Sequence, residues 1–167
     1  MNIAEFDHLP DEQKRELLQQ CCGSSNWVNK MIASMPAEDL VDLEELAEEN
    51  WYACNHQDWK EAFDHHPEIG DINSLREKFS STSHLAENEQ SGVEGSNEEV
   101  LQQLSDGNKK YKEKFGYIFI ISAAGKSGKE ILNELQARLS NSAEEEIKNA
   151  MEEQNRITKL RIEKFFA

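Results

Sequence analysis

Apolar residues return every third or fourth position along most of the chain, the spacing of amphipathic helices. Pro10 opens a helix with Asp11 and Glu12 in its first turn, carried through Leu17 and Leu18 to Cys21 and Cys22, with Gly23 as its stop. Ser24-Ser25-Asn26 offers a cap for a helix bearing Trp27, Val28, Met31 and Ile32. Pro36 opens the next, where Leu40, Leu43, Ala47 and Trp51 align while Glu44, Glu45, Glu48 and Glu49 fall mostly off that line. Trp59, Ala62 and Phe63 carry an apolar face up to His66, and a helix is predicted from Asn73 to Phe79. Ser80-Ser81-Thr82-Ser83-His84 has the composition of a linker. Leu101, Leu104, Asn108, Tyr111 and Phe115 resume the helical interval.

The run Tyr117 to Ala124 is apolar on every side and β-branched. A single strand would have no partner, so this run is expected to be a helix buried all round. Capping signals at Ser127-Gly128-Lys129-Glu130 and Ser142-Ala143-Glu144-Glu145 start the last two helices. In the last, Ile147, Ala150, Met151, Gln154, Ile157, Thr158 and Arg161 share one stripe, with Arg156, Lys159 and Glu163 on the other side. These elements describe an all-α fold, a single compact multi-helix domain over residues 1–167, with no internal repeat.

Composition narrows the functions available. Thirty-three acidic residues against 18 basic ones give a net charge of −15, which argues against nucleic acid and anionic membrane surfaces as partners. No apolar run is long enough to span a bilayer, and the first residues lack a secretory layout. The three cysteines, Cys21, Cys22 and Cys54, have no zinc-type spacing and fit reduced thiols in a cytoplasmic protein.

Two residues stand out chemically. In Asp64-His65-His66-Pro67-Glu68-Ile69-Gly70, the proline pushes His66 toward extended backbone at a helix boundary. An imidazole there can move protons near neutral pH, although a cap or surface histidine fits the same position. Arg161 lies on the inward stripe of the last helix, where a guanidinium needs an anion, either a protein carboxylate or that of a ligand. Gly125-Lys126-Ser127 matches the end of a phosphate loop, but Ile120 stands where the loop requires glycine, and Ser127 reads as a cap. Cys54, His56, His65, His66 and His84 show no metal-ligand spacing, so no metal is expected.

Read in order, these pieces resemble the 2-oxo-4-hydroxy-4-carboxy-5-ureidoimidazoline (OHCU) decarboxylase family of urate breakdown. The resemblance runs through Cys21-Cys22-Gly23-Ser24 with Trp27, His66-Pro67-Glu68-Ile69-Gly70 and Glu89-Gln90-Ser91-Gly92-Val93. It continues through Asn108, Tyr111, Phe115-Gly116-Tyr117-Ile118-Phe119-Ile120, Gly125-Lys126-Ser127 and Ile157-Thr158-Lys159-Leu160-Arg161-Ile162. It implies an all-α carboxy-lyase, often a homodimer, that needs no cofactor and releases (S)-allantoin and carbon dioxide.

By the same resemblance, His66 is the proton-transfer histidine and Pro67 a neighbouring substrate contact. Glu89 and Gln90 are the acidic and amide pair on the ureidoimidazoline, with Glu89 also placed to act on His66. Phe119, Ile120, Ile121, Ser122 and Ala123 form the segment whose backbone meets the ring, and Arg161 holds the carboxylate. Two positions depart from the pattern: Ala86 replaces a serine common before the Glu-Gln pair, and Ser122 replaces a cysteine found in some members. Those departures keep two alternatives in view, a relative acting on another ureide-like acid and a helical binding protein without chemistry.

Overall fold

The structure is a computed structural model and describes residues 1–66 and 98–166. Its described part is all-α, with eight helices and no strand among the described residues. They are α1 (Ile3–Asp7), α2 (Asp11–Cys21), α3 (Ser25–Ser34), α4 (Leu40–Tyr52), α5 (His56–Asp64), α6 (Glu98–Phe115), α7 (Gly128–Leu139) and α8 (Ala143–Phe166). The chain divides into two compact units: residues 1–66 with 151–167, and residues 67–150.

In the first unit, local chemistry sets the helix starts. Ser24 accepts from Trp27 N–H, Asp39 from Asp42 N–H, and Asn55 exchanges bonds with Asp58 in a capping box. The α4 helix therefore opens at Leu40 under the Asp39 cap rather than at Pro36. Pro10 is the N-cap of α2, one residue outside the helix it was expected to begin.

Trp27, Leu43, Ala47, Trp51 and Phe63 fill the core. Each indole finds a backbone acceptor: Trp27 Nε1 donates to Ala47 O at 3.0 Å, Trp51 Nε1 to Met151 O at 3.0 Å, and Trp59 Nε1 to Trp51 O at 2.9 Å. These bonds let large rings be buried without an orphaned N–H. Glu48 on α4 accepts from Asn155 Nδ2 at 3.1 Å and pairs with Lys159 Nζ at 3.2 Å, joining α4 to α8.

Gly23 does not stop α2 in the left-handed way expected of it. The positive-φ glycines among the described residues are Gly116 and Gly125, and α2 ends on extended backbone at Cys22. Gly23 is needed for space: a Cβ there would lie 2.4 Å from Cγ and 2.6 Å from Cβ of His65. The α2–α3 connection thus presses directly on the end of α5.

In the second unit α6 packs on α7, and Gly107 faces Leu135 closely enough that an added Cβ would meet its Cδ2 at 2.7 Å. The run Tyr117 to Ala124, expected as a buried helix, has neither helical nor strand structure. Gly116, at φ +81, turns the chain out of α6. Tyr117 and Ile120 are buried while Ala123 and Ala124 are exposed, so the run is not enclosed on all sides. Its β-branched residues favour extended backbone, and a side chain takes over one of the bonds that a helix would have supplied.

Candidate functional site

The α5 helix ends at Asp64, His65 caps it, and His66 N–H still reaches Phe63 O at 3.1 Å. His66 is therefore at the helix boundary its neighbouring proline predicts. It is half-buried, and its Nε2 lies 2.6 Å from Gln154 Oε1 on α8. Gln154 is fully buried, and its Nε2 donates to Thr158 Oγ1 at 3.2 Å, one turn along. Thr158 lies beside Cys22, the residue before Gly23. His66 is thus a docked imidazole rather than a surface cap.

Arg161 is half-buried, less enclosed than its place on the stripe suggested. Its Nη1 donates to the carbonyls of Gln20 at 3.2 Å and Cys21 at 3.3 Å, the free carbonyls at the end of α2. No carboxylate pairs with Arg161 among the described residues. Two backbone carbonyls restrain the side chain without neutralising its charge, which suits it to an anionic ligand. Gln154, Thr158 and Arg161 are spaced i, i+4, i+7 on one face of α8, so Arg161 stands about 10 Å along the axis from the residue holding His66. The same face meets Cys21 and Cys22. His66, through Gln154, and Arg161 are thereby set along one helix face, about two turns apart.

Burial raises all three thiols. Cys21 and Cys22 are pushed up to about 12, Arg161 partly opposing the rise at Cys21 and hydrogen bonds partly opposing it at Cys22; Cys54 reaches about 11. They are neutral packing groups near neutral pH rather than nucleophiles. Among the described residues no group of three His, Cys, Asp or Glu side chains is gathered in a way that could hold a metal ion. No described helix is long and apolar enough to cross a membrane.

Pro67, Ala86, Glu89 and Gln90 lie outside the described residues, as do the predicted Asn73–Phe79 helix and the serine-rich stretch. Phe119 to Ala123 belong to the second unit. Arg138, only 5 % exposed, donates from Nη1 to Ile120 O at 2.7 Å and from Nε to Glu146 Oε1 at 2.6 Å. Its guanidinium lies 4.5 Å from the Phe119 ring centroid. Glu146, fully buried, also accepts from Tyr111 Oη at 2.6 Å and Asn141 Nδ2 at 3.0 Å. Burial, then the bond to Glu146, drive the Tyr111 hydroxyl far above its ordinary pKa. The network fixes the carbonyl of one residue that the resemblance assigns to substrate. The available sequence signal was a charged pair eight residues apart at the junction of two helices, which a solvated surface would also display.

Comparison with known proteins shows what the chain is similar to. A family model described as OHCU decarboxylase matches residues 7–163. The chain is 35% identical over 150 residues to the Uric acid degradation bifunctional protein TTL of Arabidopsis thaliana, covering 88% of this chain and 45% of the relative. It is 25% identical over 180 residues to the Uric acid degradation bifunctional protein of Bacillus sp. (strain TB-90), covering 99% of this chain and 32% of that protein. The chain therefore spans less than half the length of these curated relatives. A crystal structure of OHCU decarboxylase in the presence of (S)-allantoin is similar at TM-score 0.73 and 34% identity, over 95% of this chain and 99% of that one. A crystal structure of (S)-allantoin synthase shares the fold at TM-score 0.75 and 13% identity, over 99% of this chain and 54% of that one.

Proposed function

The chain belongs to the OHCU decarboxylase family, and from that premise we propose that it converts OHCU to (S)-allantoin and carbon dioxide in urate catabolism, without a cofactor. The observation that carries the proposal is the shared α8 face, with His66 docked on Gln154 and Arg161 about two turns away without a carboxylate partner among the described residues.

The reaction breaks a carbon–carboxylate bond, leaves its electron pair delocalised over the ring, removes the hydroxyl proton and protonates a carbon on one face. His66 exchanges these protons, as an imidazole poised near neutral pH can. Arg161 grips the carboxylate of the bound acid, and its planar fork gives orientation as well as charge. A local cation also answers how a chain of net charge −15 takes an anion. The resemblance assigns Glu89 to the ureido or ring N–H groups and to the protonation of His66, Gln90 to orientation, Pro67 to a neighbouring contact, and the Phe119–Ala123 backbone to the ring edge. The match over residues 7–163 supports one functional domain running through both units. A cytoplasmic homodimer acting on a small anion completes the proposal, supported by the family resemblance and the free thiols.

The test generates hydroxyisourate and its hydrolase product in situ and follows circular dichroism of the allantoin formed. Optically active allantoin appearing faster than the spontaneous racemic product is the expected result. A trace identical to the uncatalysed one contradicts it and favours a binding protein.

A further inference from the structure

Resting on the proton-transfer reading of His66, we infer that Gln154 is a positioning residue that holds the His66 imidazole in the tautomer with its hydrogen on Nε2, so that Nδ1 carries the lone pair in the neutral ring. Two self-consistent hydrogen-bond chains fit these atoms on chemistry alone. In one, His66 Nε2–H donates to Gln154 Oε1, and the Gln154 amide donates to Thr158. In the other, the amide is turned over and donates to an unprotonated Nε2.

The surroundings of Thr158 favour the first. Thr158 Oγ1 lies 3.2 Å from the Gln154 amide nitrogen, and a hydroxyl oxygen can accept whichever way its own hydrogen turns. The amide then presents its NH₂ to Thr158, as the 3.2 Å Nε2–Oγ1 bond records, and its carbonyl to His66 at 2.6 Å. Gln154 and Cys22 are fully buried and Thr158 is 3 % exposed, so water does not compete for these bonds. The glycine at position 23 admits the end of α5 close enough for the chain to close.

An amide is suited to this task where a carboxylate is not. It orients the ring and selects the tautomer without adding the negative charge that would keep the imidazole protonated.

The test is ¹⁵N NMR of His66 in the ligand-free protein, assigned by comparison with His66→Ala, together with steady-state kinetics. The expected spectrum shows the Nε2–H tautomer for the native side chain. Gln154→Leu should mix the tautomers and lower kcat about ten- to hundredfold, with KM changed less than about threefold. If that variant does not fold, Gln154→Glu carries the test, since it keeps the size and the acceptor but adds charge and should raise the His66 titration midpoint. Among the described residues Asp64, His65, Cys21, Cys22, Glu153 and Arg161 are ionisable neighbours of His66, Gln154 or Thr158 along these elements, and all are unchanged in both variants. An Nδ1–H tautomer in the native protein, or a ring state and midpoint indifferent to residue 154, overturns the inference. The spectrum does not depend on decarboxylation, so it separates failure of this inference from failure of the proposed activity.

Discussion

Arg161 shows how much one residue's chemistry depends on what restrains it. Its stripe position was readable from the sequence, but its contacts with the Gln20 and Cys21 carbonyls were not, because periodicity says nothing about which helix end lies opposite. Those contacts fix one nitrogen of a planar fork and keep the positive charge available. Arg161→Lys retains charge but loses the fork, so it should raise KM about tenfold or more while moving kcat less. Steady-state kinetics over a range of substrate concentrations checks this, and an unchanged KM would speak against the carboxylate grip. His66 was legible for a simpler reason, since a proline restricts the backbone just before it wherever the fold places that backbone.

At the scale of elements, helices with one polar face and their own caps were legible, and the segment after α6 was not. Residues 117–123 carry no period that separates a buried helix from buried irregular chain, and their backbone is held partly by Arg138, from beyond the next loop. Long-range satisfaction of a carbonyl leaves no local trace. The same pair makes a stability prediction. Arg138→Met leaves the buried Glu146 charge without its cation, and removing one member of such a pair costs about 3–5 kcal/mol. Urea unfolding should show the loss, and a midpoint unchanged from the parent would mean that the pair is not the clasp it resembles.

Across the whole molecule, buried acids govern the alkaline limit. Cys21 and Cys22 titrate near 9 when exposed and near 12 when folded, Cys54 near 11, and Tyr111 is also displaced upward. Above pH 9 the unfolded chain has shed thiol protons that the folded chain keeps. The unfolded state then binds fewer protons, so stability falls as pH rises. This contribution is fully present below pH 9 and erodes progressively toward pH 12. Thermal unfolding across that window should show a declining midpoint, steeper than in a Cys21→Ala, Cys22→Ala variant; equal slopes would contradict the assignment to the thiols. The all-α class and the family were both legible in the sequence, because helical periodicity and short motifs lie in order along the chain. What joins them, from Gly23 against His65 to Gln154 beneath His66, is a matter of tertiary approach.

The most direct test of the account is the initial rate of (S)-allantoin formation, read by circular dichroism, for His66→Ala against the parent chain. Loss of the imidazole should lower the rate by about two to four powers of ten, the scale of general acid–base catalysis, with the fold intact by far-ultraviolet dichroism. A folded His66→Ala protein that still makes optically active allantoin at the parent rate would contradict it.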